Sequence, residues 1–203
     1  MEDYPFEKAL RDSRVNMIFE GTNEILRVLV ALSGMRDVGE DLQEIGRALK
    51  APLSSLGILS EYAARKVRAY ATPARLTRIA PSLAAQGELV AKYSRAASGA
   101  VETLLRKYGK GVIGKEYHQE RLANVAIDLY ACLAVLSRAT AAIAARGAEG
   151  SADEVRVAKA FVEGAKYRIV AQLKEMDKNR DAEQTAISEA AYAATGYAFS
   201  FWE

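Results

Sequence analysis

Glu20 is the residue whose type and setting suggest chemistry first. It stands in Phe19-Glu20-Gly21-Thr22-Asn23-Glu24, where Leu10, Arg14 and Met17 or Ile18 carry a helical spacing up to Phe19 and Gly21 then breaks it. A carboxylate beside a glycine at the head of a helix can act as a general base, because a proton acceptor must sit within contact distance of the proton it removes. It can equally be a surface acid favoured by the positive end of the next helix. Thr22 or Asn23 can cap that helix, with Glu24 placed against its N-terminal end. Two other reactive side chains stand alone. Cys132, the single cysteine, excludes an internal disulfide and lies in Leu129-Tyr130-Ala131-Cys132-Leu133, which reads as a buried, inert thiol. His118, the single histidine, lies too far from Cys132 along one helix for a zinc site or a nucleophilic pair, so no metal is expected.

The bulk of the chain must hold these residues. It has 203 residues, half of them hydrophobic, enough for one domain with a proper core or one and a half small ones. The net charge of +2, with basic and acidic residues interleaved, argues against a nucleic-acid binder. The start Met1-Glu2-Asp3-Tyr4 lacks the basic and apolar regions of a signal peptide, and no apolar run looks long enough to span a bilayer. The expectation is a soluble intracellular protein, cytoplasmic in a bacterium or mitochondrial in a eukaryote, with surface attachment left open.

Pro5, Pro52, Pro73 and Pro81 all fall in the first half, β-branched runs are short, and alanine and leucine abound, so the fold class is all-α. Three regions emerge. Residues 1–36 read as two helices and a turn, the second helix having a broad apolar face of Ile25, Leu26, Leu29, Val30 and Leu32, with Gly34 and Gly39 bracketing its end. Residues 37–80 read as a linker with an amphipathic helix over 53–70, apolar at Leu53, Leu56, Ile58 and Leu59 and basic at Arg65, Lys66 and Arg68. Residues 81–203 hold three long apolar stripes at helical spacing, from Leu83 to Tyr108, Leu122 to Leu136 and Val155 to Met176. Gly109-Lys110-Gly111 and Gly147-Ala148-Glu149-Gly150 are the turns, and Ser151 with Glu154 forms a capping box. A shorter helix near Thr185 to Thr195 and an aromatic, docked tail from Tyr197 to Glu203 follow. The architecture expected is an antiparallel four-helix bundle.

The run from Asp12 through Arg27 resembles, nearly position for position, the end of the catalytic domain of an acyl-CoA dehydrogenase. The helical chain beyond it is similar to the very-long-chain branch of that family. Val101-Glu102-Thr103-Leu104-Leu105 and Ala134-Val135-Leu136-Ser137-Arg138-Ala139 carry the same likeness more diffusely. The resemblance implies an FAD-dependent oxidation of a long-chain acyl-CoA to the trans-2-enoyl-CoA, as in fatty-acid β-oxidation. Glu20 would be the catalytic base for the α-proton. Its backbone N–H would donate to the thioester oxygen, Gly21 would let substrate approach, and Thr22 and, more weakly, Asn23 would contact FAD. It further implies electron-transfer flavoprotein as a partner, a homo-oligomer, and peripheral membrane contact through 53–70, against which stands a helix simply packed on the bundle. The domains that hold most of the flavin in that family lie outside this sequence, so the isolated chain is expected to be inactive and flavin-free. The competing reading is a non-catalytic helical interaction module that binds a partner protein or a membrane surface.

Overall fold

A computed structural model describes residues 5–48, 50, 56–72 and 75–197. Among these residues seven α-helices occur and no strand, as the composition predicts. They are α1 (Phe6–Val15), α2 (Asn23–Ala48), α3 (Leu56–Ala71), α4 (Ala84–Tyr108), α5 (Glu116–Arg146), α6 (Ala152–Glu175) and α7 (Asp181–Ala193).

The core forms where α4, α5 and α6 meet, around Leu83, Val90, Val125, Leu136, Val162 and Ile169. Short 3-10 segments, Gly109–Gly114 and Glu149–Ser151, join the three helices, so they run up, down and up. Leu136 and Ala165 are fully inaccessible and Ile169 nearly so. Burying each such leucine or isoleucine contributes about 2 kcal/mol. A second cluster joins Ala31 and Met35 of α2 to Leu104, Val112, Leu122, Ala123 and Met176.

That second cluster adds a helix to the bundle. The fourth long helix of the bundle is α2, not the short C-terminal helix. α2 runs through Gly34 and Gly39, which were expected to mark its end, and stops only at Ala48. Each interior glycine costs about 1 kcal/mol relative to alanine. Packing of Ala31, Met35 and Ala48, all at most 5% exposed, offsets that cost. The expected division at residue 36 therefore falls inside one continuous helix. At the other end, α1 stops at Val15 rather than reaching Phe19, and the chain turns over residues 16–20.

Further differences are local. Ser151 and Glu154 form no capping box: Ser151 Oγ donates to the Gly147 carbonyl at 2.6 Å and Glu154 pairs with Arg146. α7 begins four residues earlier than expected and buries none of its side chains. Gly87 lies where α4 meets the segment before it, and a Cβ there would overlap Ile79 Cδ1. α5 is long and apolar enough to cross a membrane, contrary to the sequence expectation. It packs along one side against α2, α4 and α6, with Tyr130 and Ile127 left exposed, and its first turns carry Gln119 and Arg121 inside the protein. The expected docking of the tail falls outside the described residues after Tyr197, and Tyr197 itself is exposed. Leu53 also lies outside them.

Candidate functional site

The four residues singled out by sequence share one turn at the head of α2. Glu20 has φ +60° and Gly21 φ +106°, so two successive residues take left-handed backbone conformations. For glutamate this region costs on the order of 1 kcal/mol, and such strain is kept where the surrounding structure enforces it. The Asn23 N–H, reaching back to the Met17 carbonyl at 3.3 Å, closes the turn. Thr22 caps α2: its carbonyl accepts from the Leu26 N–H at 2.9 Å and its hydroxyl oxygen lies 3.5 Å from the Ile25 N–H. The cap also serves Glu24, whose own backbone N–H and the Thr22 hydroxyl hold its carboxyl below the usual range.

The backbone donors at the start of this turn are uncommitted. Among the described residues the backbone N–H groups of Glu20, Gly21 and Thr22 make no hydrogen bond. The Glu20 carboxylate and the Thr22 side chain are exposed. Thr22 Oγ1 accepts from Ile25 while its proton serves the Glu24 carboxylate. A Cβ on Gly21 would sit 3.4 Å from the Leu26 side chain, so the glycine keeps this edge low. One link fixes the turn to the bundle: Arg27 Nε donates to Asn124 Oδ1 of α5 at 2.8 Å. The surroundings are apolar and open. Phe6, Leu10, Ile18, Phe19, Ile25 and Leu29 are each between 51% and 74% exposed. The apolar face read from the sequence of α2 is real, but only its inner edge meets the bundle.

A second feature was missed by sequence reasoning. A cleft of about 1060 Å³ opens between the start of α2, the start of α5 and α7. His118 lines it and is 6% exposed, with its Nδ1 buried and without a partner, and its Nε2 is 3.5 Å from the Tyr108 hydroxyl. Burial pushes the imidazole pKa below its usual value, helped by Arg121, Lys107 and Lys115 and opposed by Asp181. Beside it Arg121 clasps Asp181 through two bonds of 2.7 and 2.5 Å, with Glu175 at 3.5 Å. Gln119, fully buried, donates through Nε2 to the Val112 and Ile113 carbonyls, both at 2.7 Å. A single glutamine among helical residues carries no pattern that would reveal this role. Cys132 is 1% exposed with its thiol pKa pushed up by burial, as an inert core residue should be. It lies fourteen residues from His118 on α5, about 21 Å along the axis. Among the described residues no group of metal-ligating side chains occurs.

The family described as "ACAD9/ACADV, C-terminal domain" matches residues 81–197, and "Acyl-CoA dehydrogenase, C-terminal domain" matches residues 1–35. The very long-chain specific acyl-CoA dehydrogenase of Rattus norvegicus mitochondria is 41% identical over 144 residues, 69% of this chain and 22% of that protein. The human counterpart is 40% identical over the same shares. A crystal structure of an acyl-CoA dehydrogenase with FAD from Bacillus anthracis superposes with a TM-score of 0.61 at 27% identity, covering 93% of this chain and 30% of that one. The chain thus spans under a third of the length of these relatives. A capped, left-handed Glu-Gly-Thr turn leads into a helical bundle, and both parts match family descriptions of one kind: the chain belongs to the acyl-CoA dehydrogenase family, in the group that carries the ACAD9/ACADV C-terminal domain.

Proposed function

We propose that this chain serves an FAD-dependent acyl-CoA dehydrogenase acting on long acyl chains, and that Glu20 is its catalytic base. The observation that carries the reading is the turn itself. A strained glutamate, an adjacent glycine and unpaired backbone N–H groups stand at the head of a helix anchored to the bundle. Glu20 would take the α-proton of the acyl thioester. A thioester α-proton is weakly acidic, so the base must be close and desolvated when substrate is bound. The Glu20 N–H, free to donate, would hold the thioester oxygen as enolate charge develops. Gly21 would keep the backbone clear for that approach. Thr22, exposed at the edge of the turn, and Asn23 beside it would contact the flavin. Bound FAD would supply the hydride acceptor for the β-hydrogen.

These residues form one wall of a site. The exposed apolar side chains of α1 and α2 around them fit a face covered by the rest of a catalytic domain. Residues 1–36 would then close the catalytic helical domain, 37–80 link it, and 81–203 form the accessory bundle, with α2 tying the first to the last. Electron-transfer flavoprotein as acceptor, a homo-oligomer, and a mitochondrial or bacterial cytoplasmic site belong to the same reading. Peripheral membrane contact through 53–70 has weaker support, because Arg65 pairs with Asp41 and Lys66 with Glu102, which turns two of its three cations toward the bundle.

The test uses the longest reading frame containing this chain. Glu20→Gln should lower acyl-CoA-dependent flavin reduction by about a thousandfold while the flavin stays bound. Activity retained within tenfold sinks the assignment. The non-catalytic module reading predicts no acyl-CoA turnover by the unaltered protein either.

A further inference from the structure

A groove of about 630 Å³ lies between α3, the segment after it, α4 and α5. Its rim carries four arginines, Arg65 and Arg68 from α3, Arg75 from the following segment and Arg95 from α4, and among the described residues no carboxylate lines it. Its floor is apolar: Leu76, Val90 and Ala91 on one side, Leu129 and Leu133 of α5 on the other. Val90 and Ala91 are buried, so the groove reaches down to the bundle core.

The arginines are only partly spent. Arg65 meets Asp41 at 2.8 Å, and Arg95 donates to the Thr72 carbonyl at 2.5 Å, which leaves its charge uncompensated. Among the described residues no carboxylate pairs with Arg68, Arg75 or Arg95. Mutual repulsion of cations around one opening is unfavourable unless an anion joins them. Guanidinium groups hold carboxylates and phosphates through paired N–H donors. A bare anion would leave the leucine and valine floor wet, and an alkane would leave the cations idle. Only a ligand with both parts satisfies both surfaces. A groove of this volume lies in the range of small-molecule sites.

We propose that this groove binds a single-chain anionic amphiphile, with its alkyl tail on the floor of Leu76, Val90, Leu129 and Leu133 and its carboxylate or phosphate head among the four arginines. The concavity favours one chain in a groove over a flat bilayer surface. The proposal does not depend on Glu20 or on flavin, so its outcome is separate from that of the dehydrogenase reading.

Isothermal titration calorimetry of the 203-residue chain with dodecyl phosphate, kept below its micelle-forming concentration, tests it. One molecule should bind per chain. The double variant R68E/R75E, in two exposed and unpaired residues, should weaken binding about tenfold or more. Leu133→Asp, on a different helix, should weaken it about as much. Should either variant alter the helical circular dichroism, the other decides. Inorganic phosphate and dodecyltrimethylammonium should each bind at least about tenfold more weakly than dodecyl phosphate. Undiminished binding in the variants, or equal binding of the cationic detergent, overturns the proposal. So does inorganic phosphate binding as tightly, which would mean an anion site alone. Capture by phosphatidylglycerol vesicles without binding of the monomer overturns it in favour of a membrane surface.

Discussion

At Glu20 and Gly21 two positive φ angles in succession put a carboxylate and free N–H groups on one edge. Gly21 at +106° is the position a side chain tolerates least. Gly21→Ala should cost about 1–2 kcal/mol, read as a lower urea midpoint with unchanged slope. An unchanged midpoint would mean the turn relaxes freely and stores no strain. Glu20 was legible because its neighbours carry a distinctive order of residues from Asp12 to Arg27. Gln119 and His118 were not. The first is buried because its amide ties the Gly109–Gly114 segment to α5, a partnership set by a turn and not by spacing. The second reads as solitary in sequence because Tyr108 and Asp181 reach it from two other helices, α4 and α7.

The helices differ in what fastens them. α3 is held by a polar cluster around Glu102 of α4, which accepts from Tyr62 at 3.1 Å and pairs with Lys66 and with Arg106 at 2.5 Å. Burial raises the Glu102 pKa, but the Lys66 and Tyr62 hydrogen bonds outweigh it and hold the carboxyl below its usual range. α7 has no buried side chain, and its firm attachment is the Arg121–Asp181 clasp. Arg121 is raised and Asp181 lowered in pKa, each first through that mutual hydrogen bond, so the two partners agree. Asp181→Asn should cost about 1–3 kcal/mol, softened by Glu175 remaining near Arg121. Amides of α7 should then exchange with solvent much faster while those of α5 and α6 stay protected. Equal protection of α7 in both proteins would show that other contacts hold it.

Across the whole molecule, acid should act in two stages. His118 binds its proton less readily when folded than at its usual 6.5, because burial and three cations oppose the charge. The unfolded chain therefore binds more protons there, and stability falls as pH drops below about 6.5. Asp181, Glu102 and Glu154 have lowered values, so their contributions persist to lower pH and fade below about 4. Urea midpoints at pH 7.5 and pH 5 should differ more for the unaltered chain than for His118→Gln. The same difference in both would remove His118 from the acid response.

The sequence by itself determined the helices, the three inner stripes of the bundle and the identity of the Glu-Gly-Thr turn, because these depend on residue type and on periods of a few positions. Tertiary structure decided what those periods cannot express. It made α2 the fourth bundle helix through Ala31 and Met35, despite two glycines that locally favour a stop. It exchanged the Ser151 capping box for bonds to Gly147 and Arg146. It gathered four arginines, from residues 65 to 95, around one apolar groove. Each outcome depends on groups far apart along the chain meeting in space, where packing and charge outweigh local preference by a few kcal/mol.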